Sequence, residues 1–387
     1  MTVTSFATVT RPLLARERGA IAALFFLNGF AFSTWVSRIP AVQAALQLTP
    51  GTLGVALAGL GAGSLVAMPT TGWLVGRIGS RPVLSVTALA CALVLVLPAL
   101  AANVVWLGLS LAALGAAIGS MDIAMNAQAV ELEHRAGRPI MSTFHAMWSL
   151  GGMSGAAMGG LIAARGIAVV PHFAAIAFLI LVATVALLPR LVSTPPDRSE
   201  GRQRLRISAA LVGLSLLAMC TLIAEGAMAD WTPVYLGSVL GTGPGLAAAG
   251  YSVFSAAMMI GRLSGDWLTV RVGRARLVRA GALMAAAGLA VALVGQRVPA
   301  ALAGFACVGA GLSVIVPLVF SAAGRLDERS AGPGLAVVTT AGYLGFLAGP
   351  PLIGAVAETF SLTVGLSIVV VLALAGAVLA KVVAVPR

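Results

Sequence analysis

Apolar residues run through this chain in long blocks rather than in alternation, and the blocks end at Arg, Pro or Gly. A bilayer core takes ~20 apolar residues per helix. The blocks predict twelve such helices, at 20–47, 52–75, 82–101, 104–131, 140–163, 168–189, 208–237, 246–270, 277–296, 299–323, 334–357 and 361–381. Polar positions are sparse inside them, and spans 3, 6, 9 and 12 hold no Asp or Glu at all, as lipid-facing helices should. The predicted fold is all-α and membrane-spanning. From Pro189 to Ile207 the pattern breaks into Pro, Ser and five arginines, which reads as a flexible linker. This gives an N-terminal six-helix bundle over 1–189, a linker over 190–207 and a C-terminal six-helix bundle over 208–387.

Composition agrees. Of 387 residues 59% are hydrophobic and 9% charged, against about 25% charged in soluble domains. The net charge of +12 would suit nucleic-acid binding only if a solvated basic face existed. Topology accounts for it instead. With a cytoplasmic N-terminus, 20 of the 24 Lys and Arg fall in cytoplasmic segments, and the positive-inside rule places both termini in the cytoplasm, with the chain multi-pass in the inner membrane. The first span follows Arg11, Arg16 and Arg18 but lacks a small-residue cleavage site, so it reads as an uncleaved helix. Cys91, Cys220 and Cys307 lie in apolar runs, which predicts neither a disulfide nor a metal site. No phosphate-binding loop, metal-ligand cluster or nucleophile–base motif occurs, so no enzyme, no cofactor and no ATP-driven pump is expected.

The halves repeat. A shift of 194 carries Pro50-Gly51 onto Pro244-Gly245, Arg77-Ile78-Gly79 onto Arg271-Val272-Gly273, and Gly115, Gly151, Gly155 and Gly160 onto Gly309, Gly345, Gly349 and Gly354; Trp35 meets Trp231 at 196. One offset serving several helices implies two homologous six-helix units, which usually place a substrate site at their interface and work by rocking.

Here the residues resemble a known family. Gly72-Trp-Leu-Val-Gly-Arg-Ile-Gly-Ser-Arg81 is similar to the signature between helices 2 and 3 of the major facilitator superfamily, with a degenerate copy from Gly265 to Arg276. On that resemblance Gly72, Gly76, Arg77, Gly79, Arg81, Arg271 and Gly273 form a conformational-switch motif, although Gly76 replaces the signature Asp. The strings Met121 to Glu131, Phe144 to Gly152 and Glu225 to Trp231 resemble the YbjJ-type inner-membrane proteins, a group similar to fucose permeases. The resemblance implies a central cavity lined by helices 1, 4, 7 and 10, and a monomer.

Burying a charge in hydrocarbon costs at least ~2.5 kcal/mol, so intramembrane acids are functional candidates. Asp122 lies in mid-span with Asn126 one turn on. It is either a proton carrier whose water access changes sides or a structural acid bonded to a neighbouring helix. Glu225 is the second proton-coupling candidate. Asp230, five residues on, is turned roughly 140° away and reads more readily as a solvated helix end. Substrate-cavity candidates are Asn28, Asn126, Gln128, His145, Trp148, Asp230, Trp231 and Tyr343. Trp35 and Trp231, near span ends, read also as interfacial anchors. Gly349-Pro-Pro351 predicts a bend in span 11.

What remains is a secondary transporter working by alternating access on a small-molecule substrate. A proton symporter of a sugar-like or small polar solute is favoured. The alternatives are a proton-coupled exporter of a metabolite or drug, and a transporter-like sensor without turnover. Drug antiporters of the superfamily carry a Gly-Pro signature on helix 5, and Gly151 to Gly160 lacks a proline.

Overall fold

A computed structural model describes residues 11–137, 140–192, 208–326 and 332–384. Its long helices are α1 (Arg11–Val36), α2 (Ile39–Ala45), α3 (Pro50–Ile78), α4 (Ser80–Val94), α5 (Val104–Ala136), α6 (Met141–Ala164), α7 (Val169–Leu187), α8 (Ala209–Val234), α9 (Pro244–Val272), α10 (Arg274–Gly295), α11 (Val298–Leu312), α12 (Ile315–Ala323), α13 (Gly332–Thr359) and α14 (Leu362–Leu379). Among the described residues there is no strand. Eleven helical stretches are long and apolar enough to cross a membrane. The twelfth expected span, α6, falls outside that set because Gly, Ser and His dilute it. It is nevertheless packed between α1 and α9 as a member of the same bundle. The linker read at 190–207 falls largely outside the described residues.

Three expected spans are broken. The first is interrupted at Ser37-Arg38, before α2 with Pro40 as its second residue, the third at Leu95-Val96, after α4, and the tenth at Ser313-Val314, between α11 and α12. Span 11 shows the opposite: α13 continues through Pro350 and Pro351 without an interruption.

Packing repeats as the sequence does. α3 lies on α5 and α1 on α6, while α9 lies on α11 and α8 on α13. Gly79 and Gly273 both adopt φ +84° at the helix turns that follow Arg77 and Arg271, a conformation that favours glycine. Arg77 lies over the Trp73 ring at 4.9 Å, and Arg271 over Trp267 at 4.2 Å. The α4, α7, α10 and α14 helices turn Val86, Phe178, Val294 and Val378 outwards, an apolar surface suited to lipid.

The α3–α4 turn and its counterpart, the α9–α10 turn, carry Arg77 and Arg81 and Arg271, Arg274 and Arg276, which marks one end of the bundle as Arg-rich. At the opposite, Arg-poor end the halves touch through two joints. A side chain on Gly54 would strike the Pro350 carbonyl, and one on Gly354 would come within 2.6 Å of the Pro50 carbonyl oxygen. In the other joint, Gly160 faces the Gly245 carbonyl and Ala248. Under the 194 shift Gly160 becomes Gly354 and Gly51 becomes Gly245, so the joints are copies of one another.

Candidate functional site

Between the halves lies a cavity of about 120 Å³. Asn28 and Phe32 of α1, Ser64 of α3, Asp122 of α5 and Trp148 of α6 reach it from the first half. Glu225 of α8, Tyr251 and Phe254 of α9, and Tyr343 and Phe346 of α13 reach it from the second. Its backbone walls come close because small residues stand at the crossings. A side chain on Gly29 would strike the Trp148 carbonyl, for instance.

Hydrogen bonds hold the polar groups in place. Trp148 Nε1 donates to Asn28 Oδ1 at 2.9 Å, and Asn28 Nδ2 donates to the Ile118 carbonyl at 3.2 Å. Asn126 Nδ2 donates to the Asp122 backbone carbonyl at 2.9 Å and to Oδ1 at 3.1 Å, buttressing the carboxylate from its own helix. The Tyr343 hydroxyl donates across the two halves to Asp122 Oδ2 at 3.5 Å. Glu225 Oε2 faces Arg262 Nη2 at 3.7 Å, while Oε1 is buried without a partner. Arg262 is itself stretched between the halves, because Nη1 donates to Ser149 Oγ of α6 at 2.8 Å.

Arg262 also lines a second cavity of about 330 Å³ towards the Arg-rich end, with His145, Asp266 and the Ser313 break of span 10. The two cavities share no lining residue. The Arg262–Glu225 contact therefore stands between them. Across the lower cavity, Ser142 Oγ donates to Asp266 Oδ2 at 3.5 Å.

The sequence candidates separate accordingly. Asp122, Glu225, Asn28, Trp148 and Tyr343 line the central cavity. Asn126 supports Asp122 without lining it, and His145 belongs to the lower cavity, its ring edge-on to Phe25 at 5.5 Å. Gln128 requires correction as a cavity residue. It is fully buried near the Arg-rich end of α5, donating to Ser80 Oγ and the Val192 carbonyl at 2.7 Å while Oε1 accepts from Val192 N at 2.8 Å. Asp230 is not a solvated helix end but 9% exposed, and neither it nor Trp231 lines the central cavity. Trp35 and Trp231 are not interfacial anchors either: both are fully buried. Helix positions 1, 4 and 7 contribute as expected, but span 10 does not, because its break turns Ser313 and Val314 to the lower cavity. Spans 2, 5, 8 and 11 line the centre instead.

In the switch motif, Gly72 has open space around it and Arg77 stacks on Trp73. Arg262 was missed, although a lone cation inside an apolar span is as costly as an acid and was legible on that ground. Tyr251, Phe254 and Phe346 carried no signal beyond being aromatic.

The Major Facilitator Superfamily model matches residues 21–332, most of the chain. The chain belongs to the Major Facilitator Superfamily. Relatives within it include the transporter y4wD of Sinorhizobium fredii, 36% identical over 96% of this chain and 99% of that one. An MFS-type transporter of Yersinia pestis is 35% identical over 92% and 93%, and the membrane protein MosC of Rhizobium meliloti 34% identical over 89% and 84%. Among solved structures, a bacterial homologue of the human lysosomal transporter Spinster matches at TM-score 0.78, 14% identity, over 97% of this chain and 98% of that one. The nucleoside transporter NupG matches at 0.69, 13% identity, over 95% and 98%. This superfamily consists of secondary transporters.

Proposed function

We propose that this superfamily member is a proton-coupled symporter of a small, hydroxyl-rich or otherwise polar solute in the cytoplasmic membrane. Residues 1–189 and 208–387 act as the rocking units, with the Arg-rich end and both termini in the cytoplasm. A single chain is the working unit.

The observation that carries the reading is the Tyr343 to Asp122 hydrogen bond, which joins the two halves at the cavity wall. A bond to an ionised carboxylate is roughly twice as strong as one between neutral groups. Proton uptake by Asp122 therefore loosens one tie between the halves, and proton release restores it. Glu225 is the second carrier in reach, tied through Arg262 to Ser149 on the opposite half. The solute lies among Asn28, Trp148, Tyr343 and Tyr251, whose polar atoms and ring faces suit a sugar-like ring. At about 120 Å³ the cavity is below the ~300 Å³ of ordinary ligand sites, so it widens to admit solute.

Proton movement into proteoliposomes, followed with an internal pH dye against a panel of sugars, polyols and small hydrophobic drugs, tests this. One solute is expected to drive proton entry in the parent and none in Asp122→Asn. Proton movement opposite to the solute would replace symport by antiport, solute flux without protons would remove the coupling, and saturable binding without flux would make the protein a sensor.

A further inference from the structure

A third cavity, of about 520 Å³, lies at the Arg-poor end between the α1–α2 corner and the segment from Val234 to Ala247. Arg38 lines it and is 4% exposed. Its Nη2 donates to the Ile167 carbonyl in the α6–α7 connection, while Nε and Nη1 have no acceptor. No Asp or Glu lines the cavity, and Arg38 makes no ion pair among the described residues. The buried His172 close by brings no negative charge, and neither of its ring nitrogens has a partner.

An enclosed guanidinium without a counter-charge is costly, and the fold does not require one here. The 196 shift that pairs Trp35 with Trp231 pairs Arg38 with Val234, which lines the same cavity from the other half. An aliphatic side chain thus serves in the equivalent corner, and the arginine is an addition to the architecture. What a guanidinium adds is a rigid fork of donors matched to the two oxygens of a carboxylate.

The geometry points to a binding site for a small organic carboxylate in this cavity, with Arg38 as its counter-ion and Gln47, Ser238 and Thr242 as neutral polar neighbours. The carboxylate bears one negative charge against the one positive charge present. Binding draws on groups from both halves and therefore favours the state in which the Arg-poor end is assembled. The site is separate from the Asp122 cavity, and the inference stands or falls on binding, whatever the outcome for proton coupling.

The test is equilibrium binding and thermal unfolding of the full chain in neutral detergent with gluconate, pyruvate and benzoate, sorbitol and sodium chloride serving as controls. At least one carboxylate is expected to bind saturably at one per chain and to raise the unfolding temperature, and the controls are not. Arg38→Gln is expected to weaken binding by at least about tenfold, the loss of a charge-assisted hydrogen bond, and Arg38→Lys to retain part of it. Should Arg38→Gln fail to fold, Val234→Glu leaves the arginine in place and supplies a carboxylate within the cavity, which is expected to displace the ligand. The inference is overturned if none of the three carboxylates binds, if sorbitol binds as well as gluconate, if Val234→Glu leaves binding unchanged, or if phosphatidylglycerol alone stabilises the protein.

Discussion

Gln128 stands six residues beyond Asp122 on α5, roughly 120° away around the helix and about 9 Å along it, which turns it from the cavity towards Ser80 and Val192. The same spacing separates Glu225 from Trp231, whereas Ala229, four residues from Glu225, does line the cavity. Helix phase thus excludes Gln128 and Trp231, but it does not suffice on its own, since Asn126 shares the Asp122 face one turn on without lining the cavity. The amide of Gln128 satisfies both the N–H and the C=O of Val192. Gln128→Ala should therefore cost about 1–3 kcal/mol for each backbone group left dry, seen as a lower unfolding temperature with solute affinity unchanged. Arg262 and Glu225 behave differently because each carries a charge with 11% and 12% of its side chain exposed. Either Arg262→Gln or Glu225→Gln strands the other, at about 3 kcal/mol. The double variant should be more stable than the sum of the two predicts, and a denaturation cycle over the four proteins reads the coupling directly. Equal and additive losses would show that the two groups do not interact.

Along the helices, the order of apolar blocks placed most long elements to within a few residues, since a membrane span is a matter of length and apolarity, but α1 begins at Arg11 and α5 runs on to Ala136, where charged residues extend the helices beyond their apolar blocks. The break at Ser313-Val314 was not legible, because the run stays apolar through the interruption, whereas Arg38 and Pro40 marked the break in the first span and were read through. The proline pair in α13 gave the converse error: Pro350 and Pro351 lie within a helix that neighbouring packing keeps continuous. Glycine told more than proline. On α6, a side chain at Gly151 would run into the Phe26 carbonyl of α1, so Gly151→Val must push α1 and α6 apart. Loss of folded protein in size-exclusion chromatography is expected. Gly72→Ala is the matching control: it meets open space and trades a flexible residue for a good helix former, a gain of up to about 1 kcal/mol. A Gly72→Ala protein less stable than the parent would mean that the end of α3 is packed against something other than the neighbours seen here.

For the molecule as a whole, the 194 shift was the most informative signal in the chain, because it named the residues of the joints before any contact was known. Gly160 and Gly245, and Gly354 with Pro50, are matched pairs that bring α6 onto α9 and α13 onto α3. The sequence could not say that these glycines face the opposite half rather than their own, since the same composition serves both kinds of close approach. A side chain at Gly245 would lie 3.1 Å from the Ala164 Cβ, near the 3.5–4.5 Å that a disulfide needs. In a background with Cys91, Cys220 and Cys307 replaced, the Ala164→Cys, Gly245→Cys pair should cross-link on mild oxidation. Transport should stop with it and return on reduction. Persistent transport in the oxidised protein would show that this joint need not open.

Arg262, reaching Glu225 on one side and Ser149 on the other, has a consequence best put in electrical terms. The central space is about 120 Å³, and the Arg262–Glu225 contact stands between it and the larger space towards the Arg-rich end. The partition holds a cation and its counter-charge together, and a solute crossing from one space to the other has to part them. On the proposed symport cycle this pair is the break in the circuit: charge crosses in the step that parts Arg262 from Glu225, and Arg262→Gln is expected to leak protons without solute.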